Sequence, residues 1–265
     1  LKSTEPSATP ADIAGLGRRQ AVGIVVIGDE VLSNKVEDEN TPRIIATMAS
    51  NGVDVGEVAM IGDVPDRIAA VVRDFAQRFD FVVTTGGIGP THDDCTWRAV
   101  GAAFDRPIEL HERLWAAIRQ WLKGEPTEYH RRMAMLPRGA DVLFEGGHYL
   151  PVFENVYVLP GVPSMVHARL PIIAKRHAFT QRSLATVYFA IDEWKVVDRI
   201  DAAVASFSEL AVGSYPVFDA KDHKLRVTFE GDDRPRVQEA VTALVASIGE
   251  TEHVRTTWRK PGAER

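Results

Sequence analysis

The segment 84–94, TTGGIGPTHDD, sets three glycines and a proline beside two acids. Glycine lets a backbone adopt positive φ and lets a ligand approach its N–H groups closely. A strand that ends in Thr84-Thr85, runs through Gly86, Gly87 and Gly89, and then enters a helix predicts a cradle for an anionic group at a helix N-terminus. Thr91 is the expected N-cap, and Asp94 three residues on completes a capping-box pattern. The spacing fits neither the dinucleotide G-x-G-x-x-G nor the P-loop. Asp93 and Asp94 would repel an anion, although acids in a first helical turn also favour the helix dipole by about 0.3–1 kcal/mol each. A second acidic turn, Gly28-Asp29-Glu30-Val31-Leu32-Ser33, follows the first apolar run. If the two strands are neighbours, Asp29 or Glu30 meets Asp93 or Asp94. Carboxylates beside a phosphate cradle make sense when a divalent cation joins them, since Mg²⁺ is held by one or two carboxylates plus substrate phosphates. The alternative is that the acids orient hydroxyls and ring nitrogens of a nucleotide or pterin.

Other reactive residues carry weaker patterns. The eight histidines include no i,i+4 pair and no H-E-x-x-H, which argues against a histidine zinc site. Ser164 lies in GVPSM rather than in a G-x-S-x-G elbow. Cys95, the single cysteine, excludes an intrachain disulfide and reads as a small buried hydrophobe rather than a reactive thiol. Arg131, Arg132 and Lys35 could meet phosphates, but each reads more simply as a solvated charge. Trp115 and Trp121 share helical spacing with Leu114, Ile118 and Leu122, which predicts inward packing or a subunit contact.

The elements that must position these residues are legible in the apolar pattern. Residues 22–27 (VGIVVI), 53–61, 81–84 and 156–159 (VYVL) predict strands, and continuous apolar runs mark strands buried on both faces. Residues 41–51, 65–78, 112–122 and 164–173 predict helices, with Ile44, Ile45 and Met48 on one face of the first. Residues 123–130 predict a loop. The alternation implies an α/β fold: three α/β/α layers around a mainly parallel sheet over residues 20–177. Residues 178–255 then predict a small α+β domain of order βαββα. Residues 1–19 are expected to be a flexible tail and 256–265 a frayed one.

The chain has 265 residues, is 45% hydrophobic and 26% charged, and carries a formal charge of −6. This suffices for a sizeable core and gives no sign of a nucleic-acid surface. No secretory leader and no apolar run long enough to span a bilayer is evident. With a lone cysteine, a cytoplasmic location and no membrane partner are expected.

GDEVLS at 28–33, VEDENTPRI at 36–44, TTGGIGPTHDD at 84–94 and NVYVLPGVPSM at 155–165 resemble, in order, the motifs of the molybdopterin-binding (MoaB/MogA-like) fold. The likeness is to the branch at the N-terminus of CinA and in two-domain FAD synthases. GSYPVF at 213–218, followed by KLRVTFEG, resembles the small domain that comes next in that family. The resemblance implies that Gly86, Gly87, Gly89, Pro90 and Thr91 cradle the phosphate of a pterin or nucleotide, with Asp93 and Asp94 as the acids; the pair of acidic turns itself makes Asp93 and Asp94 the expected catalytic residues and Asp93, Asp94 and Glu30 the expected metal ligands. It also implies ligand contacts from Gly28, Asp29, Glu30 and Ser33, from Asp38 and Asn40, from Asp63 and Thr85, and from Pro160, Gly161 and Pro163. It carries an expectation of pyrophosphatase activity on FAD or ADP-ribose with Mg²⁺, Mn²⁺ or Co²⁺, helped by potassium, and of a homodimer or trimer. Asn34 stands where the family usually has glycine, and Asn tolerates left-handed φ well. The segment 145–161 looks more like the FAD-synthase branch than CinA. With no second catalytic domain evident, a stand-alone form is expected. The alternatives are a pterin- or nucleotide-binding module without turnover, and molybdopterin adenylylation.

Overall fold

The computed structural model describes residues 19–91, 94–122, 124–177 and 182–259. Asp93 and residues 1–18 of the expected tail 1–19 lie outside these. The chain divides into two compact units, 1–179 and 180–265.

In the first unit β1 (Ala21–Ile27) leads through a short α1 (Asp29–Leu32) and α2 (Asn40–Ser50) to β2 (Asp54–Ile61), then through α3 (Pro65–Arg78) to β3 (Phe81–Thr85). There follow α4 (Thr96–Ala103), β4 (Ile108–Leu110), α5 (Glu112–Trp121), α6 (Glu128–Arg132), β5 (Met135–Pro137), β6 (Asp141–Glu145), β7 (His148–Phe153), β8 (Val156–Leu159) and α7 (Pro163–His177). The main sheet has the order β2-β1-β3-β8-β7-β6. Its first four strands run parallel, and β7 and β6 add an antiparallel edge. Burial explains the apolar runs: β3 is buried throughout, and Ile24 and Val25 of β1 have no exposed surface. One sheet face packs Ile44 and Met48 of α2 with Val166 and Leu170 of α7; the other packs Ile68 and Val72 of α3 with Leu114 and Ile118 of α5. The mainly parallel, three-layer α/β expectation therefore holds. The chain leaves β1 for β2 on one side and returns to β3 on the other, so β1 and β3 are neighbours at the point where strand order reverses. Ligands of open α/β sheets bind in that crevice.

The second unit runs β9 (Ser183–Phe189), a 3₁₀ turn (Glu193–Lys195), α8 (Val197–Ser206), β10 (Ala211–Pro216), β11 (Leu225–Gly231), α9 (Arg234–Ile248) and β12 (His253–Trp258). Its four strands, in the order β10-β11-β9-β12, pair antiparallel in a split βαβ arrangement. Phe189, Phe229 and Leu225 are fully buried against Val237 and Leu244 of α9.

Several local expectations are corrected. Residues 256–258 belong to β12, which pairs with β9, rather than to a frayed tail; alternating Val, Thr and Trp among charges hid a half-exposed edge strand. The expected loop 123–130 ends early, because Thr127 and His130 form a capping box that starts α6 at Glu128. Trp121 is 80% exposed and Ile45 36% exposed, so neither packs inward. The helix after the glycine turn starts at Thr96, not at Thr91.

Candidate functional site

The glycine turn is shaped by contacts that leave room for no side chain. Gly86 has φ +101°, and a Cβ there would stand 2.0 Å from the Ile27 carbonyl oxygen; Gly87 has φ +63°. The Gly86 N–H donates to the Leu159 carbonyl across β8 at 3.1 Å. Thr96, fully buried, donates its hydroxyl to the Gly86 carbonyl at 2.9 Å and its N–H to the Gly87 carbonyl at 3.0 Å. The first turn of α4 thus anchors the loop.

Asp94 does not act in a capping box. Its Oδ1 accepts the Gly89 N–H at 2.6 Å and its Oδ2 the Thr91 N–H at 2.7 Å, and the Thr91 hydroxyl donates to Oδ2 as well. Asp94 therefore clamps the 89–91 bend and occupies two of the amides that the sequence offers to an anion. The N–H groups of Gly87 and Ile88 have no partner among the described residues. They remain the donors available at the turn.

The adjacent β1 turn is acidic. Asp63, after β2, accepts the Asp29 N–H at 2.9 Å, and a Cβ on Gly87 would sit 3.4 Å from Asp63 Oδ1. The Glu30 carboxylate folds back over Gly28. Ser33 donates to the Asp29 carbonyl at 2.7 Å, and Asn34 takes φ +55°, so asparagine meets the left-handed demand usually met by glycine. Asp38 caps α2, accepting the N–H groups of Asn40 and Thr41 at 3.0 Å each. Buried Asn40 ties the turns together, donating to Thr85 Oγ1 at 3.2 Å and to the Gly161 carbonyl at 2.8 Å; Thr85 donates to the Pro160 carbonyl at 2.9 Å.

These turns border a cavity of about 510 Å³, within the usual range for small-molecule sites. Glu30, Gly86, Gly87, Gly89, Asp94, Pro160, Gly161 and Pro163 line it. A second cavity of about 540 Å³ shares Gly87, Gly89 and Asp94 and adds Thr91, Arg98 and Arg132. Gly28, Asp29, Ser33, Asp38, Asn40, Asp63, Thr85 and Pro90 line neither; Asp29, Ser33, Asp38, Asn40, Asp63 and Thr85 instead hydrogen-bond the surrounding turns together. The loop 86–91 is not sealed beneath other segments: Gly87 to Pro90 are half-buried and Thr91 is exposed.

Sequence reasoning missed the apolar wall, Trp97, Met133, Tyr149, Pro151, Val158 and Met165, and with it Arg169. Arg169 is only 5% exposed. Its Nε donates to the Tyr149 carbonyl at 2.7 Å, an Nη1 proton goes to the Met165 carbonyl at 2.9 Å, and its guanidinium lies 5.0 Å from the Tyr149 ring centre. Burial lowers its pKa from the ordinary arginine value. No signal marked it, because an arginine on a helix ordinarily faces water.

As for a metal, Glu30 and Asp94 are two carboxylates on one cavity, a donor set of the kind that shares Mg²⁺ with substrate phosphates. Among the described residues no group of three or more His, Cys, Asp or Glu could hold an ion without such help. Also among them, no helix is long and apolar enough to cross a membrane.

Comparison with known proteins agrees with this architecture. Residues 23–177 match the family model described as "Probable molybdopterin binding domain", and residues 181–257 match "FAD synthase, middle domain". A protein of Archaeoglobus fulgidus is 30% identical over 82% of this chain and 93% of its own length. A CinA-like protein of Geobacter metallireducens is 32% identical over 84% of this chain and 56% of its own, and a "Probable FAD synthase" of Caenorhabditis briggsae is 26% identical over 86% of this chain and 49% of its own. The chain thus spans about half the length of these last two relatives. The crystal structure of CinA from Thermoplasma acidophilum superposes with a TM-score of 0.54 at 24% identity, over 60% of this chain and 98% of that one. The chain belongs to the family described as "Probable molybdopterin binding domain", and its second unit is similar to the middle domain of FAD synthases.

Proposed function

We propose that the first unit binds the phosphate side of a nucleotide or pterin and hydrolyses a dinucleotide diphosphate, FAD or ADP-ribose, with a divalent cation. The observation that carries this reading is one cavity lined by both the glycine turn, with its unpartnered Gly87 and Ile88 amides, and the Glu30 and Asp94 carboxylates. Fixed N–H donors aimed at a phosphoryl group stabilise the charge it gathers during displacement. Glu30 and Asp94 would hold the cation, which polarises a phosphoryl oxygen and lowers the pKa of bound water when present. In the overall reaction one water oxygen adds to one phosphorus. The bridging P–O bond breaks, the bridging oxygen keeps the electron pair, and two monophosphates and the released protons result.

The test is a screen of FAD and ADP-ribose against Mg²⁺, Mn²⁺ and Co²⁺, with and without K⁺, read by mass spectrometry. Monophosphate products are expected; their absence under every condition overturns the hydrolase reading. The engagement of Asp94 by three donors favours a second reading, a binding module without turnover. Saturable binding with no products would select it, and no binding of any nucleotide or pterin would eliminate both.

A further inference from the structure

We infer that Arg169 forms a second anion subsite in this cavity and makes the site selective for ligands carrying two phosphates rather than one. The inference rests on the proposed phosphate binding at the glycine turn.

Arg169 is a cation held nine-tenths out of water, and among the described residues no carboxylate pairs with it. A buried charge ordinarily has an opposite charge or a full set of hydrogen-bond partners. Of the five N–H groups of a guanidinium, the Tyr149 and Met165 carbonyls take one from Nε and one from Nη1. The other terminal nitrogen, Nη2, has no partner among the described residues, while Arg169 lines the cavity. The Tyr149 ring and the two carbonyls also lock the rotamer, so the donor is fixed in place before a ligand arrives.

Position supplies the second argument. The bond to Met165, four residues back, folds the guanidinium towards the start of α7. That start abuts the glycine turn, since a Cβ on Gly161 would lie 3.6 Å from Gly86 Cα. Gly161, Val162, Pro163 and Met165 all line the same cavity. The N-terminal end of this helix carries partial positive charge. Arg169 and the Gly87 and Ile88 backbone therefore border one cavity, on the side where α7 begins. One phosphate at the amides leaves a second, joined through a bridging oxygen, within reach of the guanidinium. Met133, Pro151 and Val158, on the cavity wall, carry no side-chain donor for either phosphate.

The test reads equilibrium binding without added divalent ion, by calorimetry, for FAD against FMN and ADP-ribose against AMP. The variants are Arg169→Met, which keeps the stem and removes the charge, and Arg169→Lys. Wild type is expected to favour each diphosphate over its monophosphate by at least about 10-fold. Arg169→Met should weaken diphosphate binding about 10- to 100-fold, the equivalent of one charged hydrogen-bonding group. Monophosphate binding should stay within about 2-fold. Arg169→Lys should recover part of the preference, because it keeps the charge but not the fork. Equal loss for both ligand classes, or an unchanged ratio, overturns the inference and leaves the proposed function standing. If Arg169→Met does not fold, a wild-type ratio near one is itself decisive against it. A wild type that neither binds nor hydrolyses any of the four defeats the proposed function and this inference together.

Discussion

Asp94→Ala tests the claim that an acid of the glycine turn is structural before it is chemical. The substitution removes the acceptor of three donors, the N–H groups of Gly89 and Thr91 and the Thr91 hydroxyl. Thr91 is exposed, so water recovers its two donors at little cost. Gly89 is half-buried, and its 2.6 Å bond to a charged oxygen is the one that counts. A hydrogen bond to a charged group contributes about 1.5–3 kcal/mol, and the exposed pair adds at most about 1. The expected loss is about 2–3 kcal/mol of unfolding free energy. Asp94→Asn should cost less but not nothing: it keeps one acceptor oxygen and turns an NH₂ group toward one of the two amides. Urea unfolding followed by tryptophan fluorescence measures the first effect, and hydrogen exchange at Gly89 and Thr91 measures where it acts. An Asp94→Ala protein that unfolds within about 0.5 kcal/mol of the parent, with both amides exchanging at parental rates, would refute the clamp. Its loss of turnover would then belong to chemistry alone.

Other outcomes follow from the same geometry. Gly86→Ala combines φ +101° with a Cβ 2.0 Å from the Ile27 carbonyl, so it should destabilise the first unit by at least about 2 kcal/mol and weaken nucleotide binding; parental unfolding and binding would show that the turn relaxes freely. Truncation after residue 252 removes β12 and leaves β9, now buried between β11 and β12, as a sheet edge, so the second unit should lose cooperative unfolding by circular dichroism. His177 stacks on Phe81 with ring centres 3.7 Å apart and bonds Tyr157 and Gln20, and burial lowers its pKa. The unfolded state then binds more protons than the folded one between the lowered value and the ordinary one. Stability should be full above the ordinary histidine range and fall as pH drops through the lowered pKa. His177→Phe should flatten that part of the profile in urea melts at stepped pH.

Much of the architecture was legible because apolar runs report burial on both faces directly. VGIVVI and VYVL became the parallel strands β1 and β8, and 65–78 became α3 with its expected ends. The edge elements were not legible. β12 and the β6–β7 hairpin are half-exposed, so their residues mix with charges and lose the pattern, and α6 is too short for periodicity to show. At the site, Gly86, Gly87 and Asn34 were legible because positive φ restricts residue type wherever it occurs.

Residue type and order alone placed a glycine bend and an acidic turn at the carboxyl ends of two strands; the sheet order, which makes those strands neighbours, decided that the two turns meet. Only tertiary structure decided what each acid does there. Asp94 holds the bend while it lines the cavity beside Glu30, and Asp63 accepts a neighbouring turn's amide. It alone revealed Arg169, because a buried cation is made by the walls that surround it, and those walls, Tyr149 on β7 and Met165 on α7, lie apart from one another along the chain.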